Sequence, residues 1–284
     1  MELNYQVTNN KAYILRIKKN NPGTGQVLGQ MLGADQLVCD SRPARSIRAN
    51  SVVINYGRSK LPVWARDDIK IFNHPANVAK CVDKRVTLST LKNAGVPCLV
   101  FTEDESTAKE WLKNGHIVVV RAVVNGKGGN GVSLTKPSEQ LPSAPLYTFF
   151  YDKTHEFRVH ICRDKDGVLQ VIDFVEKKKM GKEKLKKLNL EKANDLVRNH
   201  KRGWVFAHND LTAPKGSQAY NHICEISLNA AEALGMDFCA VDILSMFTED
   251  KVFKNAVICE VNSAPGMSSP TTLGAYVEAF KSIL

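Results

Sequence analysis

A chain of 284 residues, 43% of them hydrophobic, can bury a large core, while its longest apolar stretch, Ile117 to Val124, is broken by Arg121 and falls far short of the ~20 residues needed to cross a bilayer. The excess of 39 Lys and Arg over 29 Asp and Glu, a net +10, favours anionic partners: nucleotide phosphates, nucleic acid or an acidic substrate. Seven scattered cysteines, never spaced as CxxC, suggest neither a zinc site nor a disulfide framework, and most sit in apolar runs expected to bury them.

The N-terminus MELNYQVTNNK lacks a secretory pattern, so the expectation is a cytoplasmic protein. Ala12 to Ile17 and Ser51 to Asn55 read as short buried strands, with NNPGTGQVLGQMLGA between them as a turn into a helix, a small α/β unit reaching about Ile71. A helix is predicted from about Asn77 to Asn93, with Val82, Val86 and Leu91 on its apolar face and a stop at Gly95 and Pro97. Cys98 to Phe101 is extended. GHIVVVRAVV is a strand, and the glycine-dense NGKGGNGVSL loops back into another, a sheet with a flap.

PLYTFFYD and THEFRVHICRDKDGVLQVIDFVEKKK read as three strands with a turn at Asp164 to Gly167. EKLKKLNLEKANDLVRNHKRGW is a basic helical or mobile segment, either a solvated surface or a docking surface for an acidic peptide or nucleic acid. Gln218 to Leu234 is a helix with Ile223, Ile226, Leu228, Ala230 and Leu234 as its apolar stripe, stopped by Gly235. FCAVDILSM and the strand before SAPG form a hairpin around a turn at Thr248 to Lys251. A closing helix, TTLGAYVEAFKSIL, turns Leu273, Tyr276, Val277, Phe280 and Leu284 inward.

The hairpin carries the chemistry. In KNAVICEVNSAPGM, alternation puts Glu260 and Asn262 on one face and Val257, Cys259 and Val261 on the other, and Asp242 lies amid apolar residues on the neighbouring strand. An ionised carboxylate on a buried strand is costly unless paired or metal-bound. Asp, Glu and Asn oxygens are hard ligands suited to Mg²⁺, and with no His or Cys expected on their face they argue against zinc. The plainer reading is that Glu260 pairs with a lysine and Asn262 caps the turn before Pro265.

Five segments in order, DKRVTLSTLKNAGVP, IVVVRAVVNGKGGNGV, HEFRVHI, AVDIL and ICEVNSAPG, resemble the ATP-grasp superfamily of carboxylate–amine ligases from about Asn73 to the C-terminus. The chain looks most like the branch that includes glutathione synthetase and the ribosomal-protein glutamate ligases. The resemblance implies an α+β ATP-grasp fold with an N-terminal small α/β (pre-ATP-grasp) domain: residues 1–72, then a lid-bearing central subdomain 73–145, then a metal-holding subdomain 146–284. It implies ATP and two Mg²⁺ ions, with Mn²⁺ as a substitute, held by Asp242, Glu260 and Asn262.

By the same resemblance Lys84 and Arg121 reach the phosphates, Arg121 standing where the family usually has lysine. Gly128 and Gly129 belong to the lid, with Lys127 as its mobile catalytic charge. Phe150, Tyr151 and Asp152 form the hinge beneath adenine, and Glu156 contacts ribose. Apart from the resemblance, Lys177, Lys178 and Lys179 alternate faces if their strand continues, so at least one points into the cleft, with Lys177 the candidate nucleotide contact. Arg158 is the candidate donor to the tetrahedral oxygen formed when an amine attacks an acylphosphate. Each has a plainer alternative: an exposed helix lysine, an ordinary hairpin turn, core aromatics.

The implied function is amide-bond formation between a carboxylate and an amine, each a small molecule or a peptide. The rivals are a kinase acting on a hydroxyl and a nucleotide-binding regulator or nucleic-acid-binding protein. A homodimer is compatible with the sequence, which does not set the oligomeric state.

Overall fold

The computed structural model describes residues 11–16, 23–38, 47–126 and 128–284, arranged as three sheets. Ile17, the turn before the first helix, Cys39 and Lys127 therefore lie outside the described residues. The first sheet is parallel, order β2-β1-β3-β4, from β1 (Ala12–Arg16), β2 (Asp35–Val38), β3 (Val52–Asn55) and β4 (Lys70–Phe72). Its central strands, β1 and β3, are apolar on both faces because both are covered. Tyr13, Leu15 and Val53 pack with Trp64 and Ile69 on one side, while Ile14 and Ile54 meet Leu28 of α1 (Thr24–Met31) and Tyr276, Val277 and Phe280 of α7 (Pro270–Lys281) on the other. Leu273 and Leu284 pack at the edge of that cluster, only half-buried.

The predicted helix from Asn77 to Asn93 is two helices, α2 (Pro75–Val82) and α3 (Lys84–Asn93). Asp83 is extended, and its carboxylate accepts from the Arg85 N–H at 2.9 Å, capping α3. The break turns the apolar face: Val78, Leu88 and Leu91 are buried, whereas Val82 and Val86 are exposed. Next come β5 (Phe101–Thr102), α4 (Glu105–Lys113, capped by Asp104), β6 (Val118–Arg121), β7 (Val132–Thr135) and β8 (Leu146–Phe149), an antiparallel sheet of order β5-β8-β6-β7. The strand predicted through Val124 ends at Arg121, where the flap begins.

The largest sheet is antiparallel, order β11-β10-β9-β12-β13, from β9 (His155–Arg163), β10 (Leu169–Lys179), β11 (Trp204–Ala207), β12 (Phe238–Phe247) and β13 (Phe253–Asn262). One face is sealed by α6 (Gln218–Leu234), whose Ile223, Ile226, Ala230 and Leu234 pack on Phe157, Val159, Val241 and Ile243. Gly235, at φ 68°, ends α6. The basic segment is ordered: α5 (Lys182–Lys187) and a 3₁₀ turn at His200–Arg202 enclose a small core of Met180, Leu185, Ala193 and Trp204. Of the described cysteines only Cys162 and Cys239 are buried; Cys81, Cys98, Cys224 and Cys259 are half-buried.

Asn73 joins the first sheet to the largest. Its backbone is left-handed at φ 59°, a region Asn tolerates better than most residues. Its side-chain oxygen accepts from the N–H groups of Asp237 (2.8 Å) and Phe238 (3.1 Å), and its Nδ2 donates to the Phe238 carbonyl at 2.7 Å. Its own N–H donates to the Asp237 carboxylate at 2.6 Å, and Asn55 donates to its carbonyl at 2.7 Å.

Candidate active site

A cavity of about 300 Å³ lies between the flap-bearing sheet and the open face of the largest sheet, lined by six Lys and Arg side chains against three carboxylates. That imbalance favours an anionic occupant. The β12–β13 register sets Asp242 directly across from Glu260, with Arg158 of β9 on Asp242's other side. Arg158 clamps Asp242 in bidentate fashion, Nε to Oδ1 at 2.7 Å and Nη2 to Oδ2 at 2.8 Å. Lys177 comes within 3.6 Å of the same carboxylate, and Asn262 Nδ2 lies 3.5 Å from Oδ2.

Strict alternation fails in β13. Ile243 pairs with Ile258 while Asp242 pairs with Glu260, so Cys259 is an extra residue in a bulge. Val257 and Cys259 consequently pack with Leu244 and Tyr151 on the cleft side, and Val261 joins Ile258 in the core under α6, correcting the expectation that Val257, Cys259 and Val261 share a face.

Lys84, the first residue of α3, bonds Glu260 Oε1 at 3.1 Å and the Gly126 carbonyl at 2.9 Å, so the lysine partner of the plainer reading is present. Glu260 Oε2 and Asn262 Oδ1 receive no hydrogen bond from another described residue. Among the described residues no three His, Cys, Asp or Glu side chains gather as a metal cluster; the trio here is two carboxylates and an amide. Glu260 Oε2 and Asn262 Oδ1, hard oxygen donors with free lone pairs, fit a magnesium ion beside Asp242, whose own oxygens are already engaged by Arg158.

Arg121 ends β6 in the cavity wall, 8% exposed, and its Nε has no hydrogen-bond partner. A buried guanidinium N–H left unpaired is costly unless an anion completes it. Gly128 and Gly129 sit at φ 66° and 78°, and a Cβ at Gly129 would come within 2.4 Å of Val197. The Gly128 carbonyl accepts from Asn199 Nδ2 at 3.1 Å. The flap thus lies against residues 196–199, which also line the cavity.

Glu156 is 4% exposed and held by Lys177 (2.9 Å), Lys153 (2.5 Å) and Arg198 (3.8 Å). Phe150 and Tyr151 line the cavity, and the Phe150 N–H already donates to the Ile117 carbonyl at 3.0 Å. Asp152 is not among the lining residues, a departure from the expected hinge: the chain turns there, with the Lys153 N–H bonded to the Tyr151 carbonyl at 2.8 Å. Sequence reasoning passed over Lys153, Arg198, Asn199 and Phe206. The guanidinium of Arg158 stands 4.6 Å above the Phe206 ring.

Burial works against the three central charges, lifting the pKa of Asp242 and lowering those of Arg158 and Lys177. Their mutual attraction outweighs it, so Asp242 stays below the ordinary carboxylate value and both cations above theirs. His160, on the same sheet face and 2% exposed, is held otherwise: burial first, then Arg158, brings its pKa from 6.5 down to about 4, with Asp173, Asp242 and His208 also facing it. The Tyr276 hydroxyl donates to the Cys239 carbonyl at 2.9 Å and lies 3.2 Å from His160 Nδ1.

Because unfolding frees His160 to bind a proton at a higher pH, its contribution is complete above 6.5 and is lost as pH falls toward 4. Stability should therefore drop by about 2 kcal/mol more between pH 7 and pH 5 in the native chain than in His160→Gln, read by urea denaturation at both pH values.

No family model matches the chain, and no curated protein matches it in sequence. Solved structures do match in fold. One is an ATP-grasp ligase, PsnB, in complex with a phosphomimetic variant of its minimal precursor, Mg and ADP: TM-score 0.63, 11% identity, 97% of this chain and 99% of that one. A second is the D-alanine–D-alanine ligase of Bacillus anthracis complexed with ATP: TM-score 0.62, 14% identity, 96% and 95% covered. A third is the N5-carboxyaminoimidazole ribonucleotide synthetase of Thermotoga maritima: TM-score 0.63, 14% identity, 96% and 75% covered. Among the described residues no helix is long and apolar enough to cross a membrane.

Proposed function

We propose that this chain, an ATP-grasp fold by its likeness to those structures, is an ATP-dependent ligase that joins a carboxylate to an amine, with residues 1–72, 73–145 and 146–284 as its working units. The observation that carries the reading is the pairing of Asp242 with Glu260 in a cation-rich cavity beside the unpartnered Arg121. A carboxylate oxygen attacks the γ-phosphorus, the bond to ADP breaks, and an acylphosphate forms. The amine then attacks the acyl carbon, phosphate leaves and the surplus proton passes to solvent.

This chain's residues supply position and charge. Lys84 and Arg121 bind phosphate oxygens, Gly128 and Gly129 offer backbone N–H groups from the flap together with Lys127, and Arg158 faces the developing oxyanion. Lys177 and Glu156 stand beside that centre, Glu156 toward the ribose and Phe150 and Tyr151 toward the base. Asp242, Glu260 and Asn262 would hold magnesium, which when bound neutralises phosphate charge.

Calorimetry with Mg-ADP tests the nucleotide half. Saturable uptake that needs magnesium is expected, weakened about tenfold or more in Arg121→Ala, as loss of one charged hydrogen bond predicts. Incubating Mg-ATP with pairs of candidate acids and amines tests the rest: ADP should form only with both, and the product mass should equal their sum less one water. ADP formation indifferent to the amine would instead mark a kinase, and absence of magnesium-dependent uptake would remove the proposal.

A further inference from the structure

The positive charge of this protein is concentrated in one place. Residues 177–202 contain eleven Lys and Arg against three Asp and Glu, a net +8, which leaves 28 Lys and Arg against 26 Asp and Glu for the remaining 258 residues. Part of that charge serves the cavity: Lys177 and Arg198 are buried against Glu156. The rest faces outward. Lys182, Lys184, Lys186, Lys187, Lys192 and Lys201 are exposed, and none has an ion-pair partner among the described residues.

On α5, Lys182 and Lys186 stand four residues apart and Lys184 and Lys187 three apart, spacings at which like charges repel. The helix is six residues long and anchored by Leu185 alone, and its single acidic residue, Glu183, four residues ahead of Lys187, offsets only part of the repulsion. From Leu196 to Asn199 the same segment forms the cavity wall. The Arg198 guanidinium lies 4.3 Å from the Trp204 ring and its Nη1 bonds the Thr154 carbonyl at 3.1 Å, which ties the outer surface to the catalytic cleft.

Resting on the ligase reading above, we infer that this segment docks an acidic peptide that is one of the two substrates, and so delivers it beside the cavity. Peptide rather than nucleic acid follows from composition. Nine of the eleven cations are lysines, and the segment contains no Phe, Tyr or Trp on which a base could stack. The nearest aromatic, Trp204, is 4% exposed and covered by Lys179 and Arg198. Flexible ammonium groups meet carboxylates as point charges without demanding a planar geometry.

The test uses the full chain and a fluorescently labelled peptide of about a dozen glutamates, followed by anisotropy at rising salt, since exposed charge pairs weaken under screening. A quadruple variant, K182E/K184E/K186E/K187E, should bind the peptide about tenfold or more weakly while its Kd for Mg-ADP is unchanged, which also shows that it is folded. An oligouridylate of equal charge should bind the native chain less tightly than the peptide. Peptide binding that is absent, or indifferent to the four reversals, overturns the inference; tighter oligouridylate binding overturns it in favour of nucleic acid. Peptide binding that behaves as expected in a protein forming no ADP with any acid and amine would sink the ligase reading and leave the docking surface standing.

Discussion

Replacing Asp242 with asparagine should cost stability as well as activity, roughly 3 to 5 kcal/mol in denaturant unfolding. The carboxylate is 6% exposed and answers two cations at once, Arg158 through both oxygens and Lys177 at 3.6 Å. An amide of the same shape leaves the guanidinium buried without its counter-charge, and Lys177 with Glu156 alone. Adding Arg158→Gln to the first substitution should recover part of the loss, so the double variant falls short of the sum of the two single costs. Full additivity would mean that the clamp contributes nothing beyond its separate parts.

Glu260→Gln should separate the two effects, lowering turnover while sparing the fold. Its side chain is 30% exposed and its one partner is Lys84, itself 14% exposed, a pair worth no more than about 1 kcal/mol. Under the proposed reaction the same carboxylate faces the phosphates, where loss of one preorganised charged group typically lowers the rate on the order of 100-fold or more. ADP release and urea unfolding measured on one preparation decide the matter. A variant that turns over normally removes Glu260 from the chemistry, whatever its stability.

The hairpin bearing these residues was legible because carboxylates embedded in two apolar runs have few explanations, and because the turn between the runs is short. The sheet-and-flap order around Arg121 was legible from β-branched residues giving way to glycines. The bulge at Cys259 was not: it involves no glycine, and only the pairing of β13 with β12 across the sheet exposes the extra residue. Asp83 carried a signal that periodicity overrode, since an aspartate ahead of Lys-Arg inside a helical run is also a cap. Arg198 could not be found locally, because it reaches Glu156 from a distant part of the chain and the letters around it describe an ordinary basic surface. Lys153 was local, three residues ahead of Glu156, but nothing in its neighbouring letters distinguishes it from an exposed turn lysine.

Asn73 sets which parts of this molecule can move. Swinging the first sheet away from β12 would strip partners from the N–H groups of Asp237 and Phe238 together, a penalty that grows with each bond broken. Those two bodies therefore behave as a fixed anvil, and any breathing of the cleft belongs to the other jaw, the sheet that carries the glycine loop.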